Sequence, residues 1–154
     1  MTQLRQKMLE ELQRRNYSHR TAKTYVRIIR DFAQPFHQPP DQLGPEQIRQ
    51  YQSYLFQTKK LTTAMVSQYV SALRFLYVKT LRRHFLSAHI PFPKSPRRLP
   101  VVLSPEEVVQ LLDAAPGLKY KAALSVAYGA GLRATEVISL KVSDIDSKRM
   151  IIRP

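Results

Sequence analysis

No cysteine occurs among the 154 residues, which excludes disulfides, thiol nucleophiles and thiolate metal sites. The four histidines, His19, His37, His84 and His89, are too scattered to give a metal-ligand spacing, so no metal and no cofactor is expected. No apolar run approaches the roughly 18 residues of a membrane span, and the opening MTQLRQKMLEELQRR is charged throughout, without a signal-peptide segment. The expected location is therefore cytoplasmic. Acidic residues are also scarce. Eleven Asp and Glu stand against 25 Lys and Arg, giving a formal charge of +14 and a pI near 10.4. A polyanion is the natural partner for such a surface. Hydrophobic residues still make up 44% of the chain, so it should bury a core and not behave as a charged disordered tail.

The charge is unevenly placed. Residues 1–100 hold 18 Lys and Arg against 5 Asp and Glu, whereas residues 101–154 hold 7 against 6. Between the two parts lies Ile90-Pro91-Phe92-Pro93-Lys94-Ser95-Pro96-Arg97-Arg98-Leu99-Pro100, whose four prolines bar continuous helix and favour an extended path. The expected organisation is a domain over 1–90, a basic proline-rich linker over 91–100, and a second part over 101–154.

Apolar residues before the linker recur at helical spacing in four segments. Leu4, Met8 and Leu12 mark the first. Ala22, Tyr25, Ile28, Ile29 and Phe32 mark the second, with Ser18 placed to cap it and Pro35, Pro39 and Pro40 to end it. Gly44-Pro45 opens a third containing Ile48, Tyr51 and Leu55. Thr62 or Thr63 caps a long fourth with Val66, Tyr69, Val70, Leu73, Leu76, Tyr77 and Leu81 on one stripe. After the linker, Ser104-Pro105-Glu106-Glu107 is a full capping box, so a helix should start at Pro105. Residues 118–128 read as a buried helix ended by Gly129 and Gly131, 133–140 as a short helix, 142–146 as a turn, and 148–153 as a lone terminal strand with no partner in the chain.

Nucleic-acid binding by the first hundred residues follows from this charge. Lys23, Arg27 and Arg30 share about one face of the second helix, and Arg74, Lys79, Arg82 and Arg83 follow the fourth. Clustered cations of this kind neutralise phosphates and release counterions. Ser18, Thr21, Thr62 and Thr63 stand at helix starts, where hydroxyls and free N–H groups hold phosphate oxygens. Arg20, Lys60, Ser67, Lys94, Arg97 and Arg98 complete the candidate DNA-binding set. A solvated helix face is the plainer reading of any one cation. The tyrosines and phenylalanines read as core and not as base-stacking platforms, because most lie on the apolar stripes.

The most informative segment is Tyr128-Gly129-Ala130-Gly131-Leu132-Arg133-Ala134-Thr135-Glu136-Val137-Ile138-Ser139-Leu140-Lys141-Val142-Ser143-Asp144-Ile145-Asp146. It sets an arginine after a glycine turn at a helix start, with an acid three residues on to orient the guanidinium. A structural ion pair would look the same. The stretch resembles the first catalytic box of the tyrosine recombinase (phage integrase) family. Tyr17-Ser18-His19-Arg20-Thr21, Ser71-Ala72-Leu73-Arg74-Phe75-Leu76-Tyr77 and the basic linker resemble that family's N-terminal core-binding domain, in the manner of integron and transposon integrases.

The resemblance implies a mainly helical protein, with a four-helix SAM-like core-binding domain followed by the α-rich start of a catalytic domain ending in one strand. It implies double-stranded DNA as partner and a tetramer on DNA for the full-length family, with a monomer expected for this chain without DNA. It also implies strand exchange through a 3′-phosphotyrosyl intermediate without metal or nucleotide cofactor. Arg133 would bind the scissile phosphate and Glu136 would support it. The family's later lysine, His-x-x-Arg box, further His or Trp and tyrosine nucleophile are not found: no His-x-x-Arg occurs, and the last tyrosine, Tyr128, precedes Arg133. The expectation is a truncated recombinase portion that binds DNA and does not cut it. The alternatives are a complete small helix-turn-helix regulator reading DNA through residues 62–75, and a basic RNA-binding protein preferring single-stranded or A-form RNA.

Overall fold

The computed structural model describes residues 2–95 and 99–153, which fall into two compact units, Met1–Arg97 and Arg98–Pro154. Arg97 and Arg98, two of the candidate DNA contacts, lie outside the described residues. No described helix is long and apolar enough to cross a membrane.

The first unit is four α-helices around one apolar cluster. Helix α1 (Gln3–Arg14) buries Met8 and Leu12, and α2 (His19–Ala33) buries Ile28, Ile29 and Phe32. Ser18 caps α2 as its position predicts, its Oγ accepting from the Thr21 N–H at 3.2 Å. A 3₁₀ turn over Gln34–Phe36 follows at Pro35. Helix α3 (Pro45–Gln57) buries Ile48, Tyr51 and Leu55, and Gln47 Oε1 accepts from the Gly44 N–H at 3.0 Å. Helix α4 (Thr63–Arg74), capped by Thr62 Oγ1 on the Met65 N–H, buries Val66, Tyr69, Val70, Ala72 and Leu73. Each fully buried Leu or Ile of this cluster contributes about 1.5–3 kcal/mol relative to an exposed one.

The expected long fourth α-helix is not continuous. At Phe75 the chain widens into a π-helical turn over Phe75–Thr80, in which each N–H reaches back five residues. The wider turn brings Phe75, Leu76, Tyr77 and Thr80 all into the interior, more than one α-helical stripe admits. Thr80 Oγ1 donates to the Phe75 carbonyl at 3.4 Å. Tyr77 Oη donates to the Pro40 carbonyl at 2.7 Å, and Arg83 donates to the Asp41 carbonyl at 2.7 Å, so this turn holds the connection between α2 and α3.

The second unit begins with α5 (Pro105–Asp113), whose capping box is complete: Ser104 Oγ accepts from the Glu107 N–H at 3.3 Å and Glu107 Oε2 from the Ser104 N–H at 2.7 Å. Helix α6 (Leu118–Ala130) was expected to be buried, yet none of its residues is, and Leu118 is 84% exposed. Its apolar residues lie all round, so one neighbouring helix cannot cover them. Gly129 lies inside α6. Gly131 alone ends it, at φ +65°, a conformation that favours glycine. Helix α7 (Ala134–Ser139) follows, then a 3₁₀ turn over Val142–Asp144. The terminal strand is not alone: β1 (Ile145–Asp146) pairs antiparallel with β2 (Ile151–Ile152), Ile145 opposite Ile152 and Asp146 opposite Ile151. Asp146 Oδ1 accepts from the Arg149 N–H at 3.1 Å and closes the hairpin turn.

Candidate nucleic-acid interface

The sequence-selected residues divide between different faces of α2. At about 100° per residue, Ser18, Thr21 and Tyr25 stand on one side, and Lys23 and Arg27 roughly 160° around the helix from Tyr25. Arg20, Lys23, Arg27 and Arg30 are exposed on that other side.

The Tyr25 side of α2 meets α4 at a recess of about 340 Å³, where Arg15, Tyr17, Tyr25, Ser71, Arg74 and Lys79 converge. Three rings build its wall, with centroids 6.1 Å apart for Tyr17 and Tyr25, 5.4 Å for Tyr17 and Phe75, and 5.8 Å for Tyr25 and Phe75. Burial raises the Tyr25 phenol above its ordinary pKa, so it stays a neutral donor. Ser71 Oγ donates to the Ser67 carbonyl at 2.8 Å, which puts Ser67 one turn back on the same stripe of α4. Ser18 Oγ and Thr21 Oγ1 lie 2.9 Å apart at the exposed start of α2.

The cations differ in how free they are. Lys79 is exposed and makes no ion pair among the described residues. Arg74 is half-buried, donates to the Ile90 carbonyl at 3.3 Å and lies 5.2 Å from the Phe92 ring centroid. Arg15 and Arg14 both bind the Glu11 carboxylate at 2.9 Å. Hydrogen bonds first from Arg14 and then from Arg15 hold that carboxyl at a pKa of about 2. Arg83 is spent on the Asp41 carbonyl. Arg82 is exposed at φ +59°, and Lys60 sits at φ +49° in the turn before Thr62, where Thr62 and Thr63 begin α4. Lys94 is exposed.

Sequence reasoning missed Arg15, and it read Tyr25 as core only; Tyr25 does pack against the core cluster, and it also lines the recess. Tyr17, Tyr54, Phe56, Phe85, Phe92, Tyr120 and Tyr128 are exposed, whereas Phe32, Tyr51, Tyr69, Phe75 and Tyr77 are buried and Tyr25 and Phe36 pack against the core, so half of the aromatics, not most, are core. The available signal was Tyr17 beside the cap Ser18: a residue preceding an N-cap lies outside the helix and is not bound by its apolar stripe.

The second cluster lies in the other unit. Arg133 is the N-cap of α7, straight after the glycine turn, and its side chain is 83% exposed. Glu136 Oε2 accepts from the Arg133 backbone N–H at 2.7 Å, and Oε1 accepts from the guanidinium at 2.9 Å. The Arg133 backbone N–H, then its side chain, hold the Glu136 carboxyl below its ordinary range. One carboxylate thus fixes both the backbone and one guanidinium nitrogen, leaving the other donors facing solvent.

Residues 4–85 match the phage integrase N-terminal SAM-like domain and residues 101–153 match the phage integrase family. The chain belongs to the phage integrase family. Among its integrase relatives, the integrase/recombinase-type protein y4qK of Sinorhizobium fredii is 46% identical over 154 residues, covering 99% of this chain and 50% of the relative. An integrase/recombinase of Escherichia coli is 35% identical, covering 91% of this chain and 43% of its own length. The crystal structure of XerA recombinase superposes with a TM-score of 0.52 at 27% identity, over 97% of this chain and 53% of that one. The chain thus spans about half the length of the curated integrase relatives it matches.

Proposed function

We propose that residues 1–154 of this integrase bind duplex DNA through the recess between α2 and α4 and the helix starts beside it, and do not themselves cut the strand. The observation that carries this reading is the convergence of Arg15, Arg74, Lys79, Ser71 and the Tyr17 and Tyr25 rings at one recess, in a part of the chain with 18 cations against 5 acids. Phosphate oxygens need cations and hydroxyl or amide donors within one reach, and the exposed Ser18, Lys60 and Thr62, with the half-buried Thr21 and Thr63, supply further donors at helix starts. Lys94, Arg97 and Arg98 extend the cationic set along the linker.

In this reading Arg133 is a phosphate-binding arginine and Glu136 its positioning residue. A planar guanidinium held at one nitrogen keeps a fork free for two phosphate oxygens, and its charge offsets that of a pentacoordinate phosphorus. Cleavage also needs a nucleophile that forms a covalent bond to phosphorus. No tyrosine follows Arg133 in residues 1–154.

Anisotropy titrations of the chain with a labelled duplex, and with an RNA duplex of the same sequence, test the reading. Tighter binding of DNA, with no protein–DNA adduct surviving denaturing electrophoresis, is the expected result. A preference for RNA favours the RNA-binding alternative, and an adduct formed by residues 1–154 refutes the division between binding and cutting.

A further inference from the structure

A larger groove of about 1270 Å³ runs between α1 and α2, around the side of α2 that Tyr25 does not occupy. Its floor is apolar. Ala22, Val26 and Ile29 follow one another at helical spacing along α2, and Leu9 faces them from α1. Leu9, Ala22 and Val26 are only half-buried, so the floor is open to solvent. Its rim is cationic. Arg5, Lys23, Arg27 and Arg30 line it, all exposed, and no Asp or Glu lines it among the described residues. Of the four, only Arg30 has an ion-pair partner among the described residues, its sequence neighbour Asp31 at 3.7 Å.

This combination differs from the recess between α2 and α4. There, rings, hydroxyls and cations meet with few aliphatic groups. A duplex laid on the α1 side would gain from the cations and nothing from the aliphatic floor, because phosphate and sugar contacts are made by polar donors. A helix with one apolar face uses both parts. Its leucine-type side chains at i, i+3, i+4 and i+7 fill the floor, and carboxylates flanking that face meet the rim.

We infer that the groove between α1 and α2 docks an acidic amphipathic helix of another protein. Charge complementarity chooses this occupant: an unpaired rim of one sign selects the opposite sign, and the aliphatic floor selects a helix over a polyphosphate. Lys23 and Arg27, grouped with the DNA contacts by sequence, serve this face instead.

The probe is a designed, fluorophore-labelled peptide of four helical turns, with leucines at i, i+3, i+4 and i+7 and glutamates elsewhere. Its controls are a scrambled peptide of identical composition and a version with lysine replacing glutamate. Binding to the whole chain is read by anisotropy, and binding to a duplex is measured in parallel. The amphipathic acidic peptide should bind at least tenfold more tightly than either control. Val26→Asn on α2 and Leu9→Asn on α1 should each weaken it at least tenfold without changing duplex affinity. Two variants on separate helices, each checked by circular dichroism and thermal melting, keep the test decisive if one fails to fold. Equal binding of the scrambled peptide would reduce the groove to bulk charge attraction and overturn the inference. So would full displacement of the peptide by duplex, which would make the two faces one, or unchanged peptide affinity in both folded variants. Loss of duplex binding alone would refute the DNA reading and leave the groove standing.

Discussion

Lys79→Gln isolates a single phosphate contact better than any other substitution in the recess. Arg15 is engaged by Glu11, and Arg74 is tied to Ile90 and Phe92. Removing either disturbs packing as well as charge. Lys79 is exposed and carries no intramolecular ion pair among the described residues, so its removal should leave the fold intact. Each neutralised phosphate contributes a slope of about −0.9 to log affinity against log salt. Replacing Lys79 should therefore make the slope shallower by about 0.9 and weaken binding at low salt. Across a fourfold rise in salt the wild-type chain should lose about 3.5-fold more affinity than the variant, since fourfold raised to that exponent is about 3.5. Lys121→Gln is the control, because Lys121 lies in the other unit and is paired with Asp113 at 2.8 Å; its slope should match wild type. The assay is anisotropy on one duplex over a salt series. Parallel lines for wild type and Lys79→Gln would show that Lys79 touches no phosphate and would refute placing the DNA backbone at this recess.

Four further outcomes follow from the geometry. Tyr51 is 1% exposed and its hydroxyl has no partner among the described residues, so Tyr51→Phe should leave stability unchanged or raise it by up to about 1 kcal/mol, whereas Tyr77→Phe, which loses the bond to Pro40, should cost about 1 kcal/mol in urea melts. The Glu11 carboxyl is held down at about 2 against an ordinary 4.5, so it stabilises the fold fully above about pH 4.5; acid titration followed by circular dichroism should show that contribution vanish as pH falls from 4.5 toward 2, and Glu11→Gln should remove this dependence. Gly131→Ala forces a side chain into φ +65° and should destabilise the end of α6 by about 1–2 kcal/mol, read as faster amide exchange there. If the segment that follows the matched region in the Sinorhizobium relative is fused after Arg153, adduct formation on a matched site should require Arg133, and Arg133→Lys should keep binding and lose most turnover, because lysine lacks the bidentate fork; equal adduct yield with Ala at 133 would make Arg133 and Glu136 a structural pair only.

The helices of the first unit were legible because their signals are local. Ser18, Thr62 and Ser104 each cap the helix that their position in the sequence implies, and the stripes of α1 to α4 supply the buried cluster. What misled was non-local. The π-turn at Phe75 arises from packing against the segment around Pro40, which periodicity in α4 cannot express. Gly129 and Gly131 look alike in sequence, and only the backbone distinguishes the one that is left-handed. The short strand over 145–146 was hidden in a turn because two residues carry no alternation to read. At the site, Arg133 and Glu136 were legible as a spacing, and the structure adds the second bond from Glu136 to the backbone. The cations of α2 were legible as one face, but they were grouped with Ser18 and Thr21 as DNA contacts, because charge clustering in sequence does not say which side of a helix faces the neighbouring helix.

The most direct measurement is an amide chemical-shift map of the isotopically labelled chain titrated with a short duplex. The account predicts the largest changes at Ser18, Thr21, Ser71, Arg74 and Lys79, smaller ones at Lys60 and Thr62, and none at Leu9 or Val26. Changes centred on Leu9 and Val26, or spread evenly over every exposed cation, would contradict it.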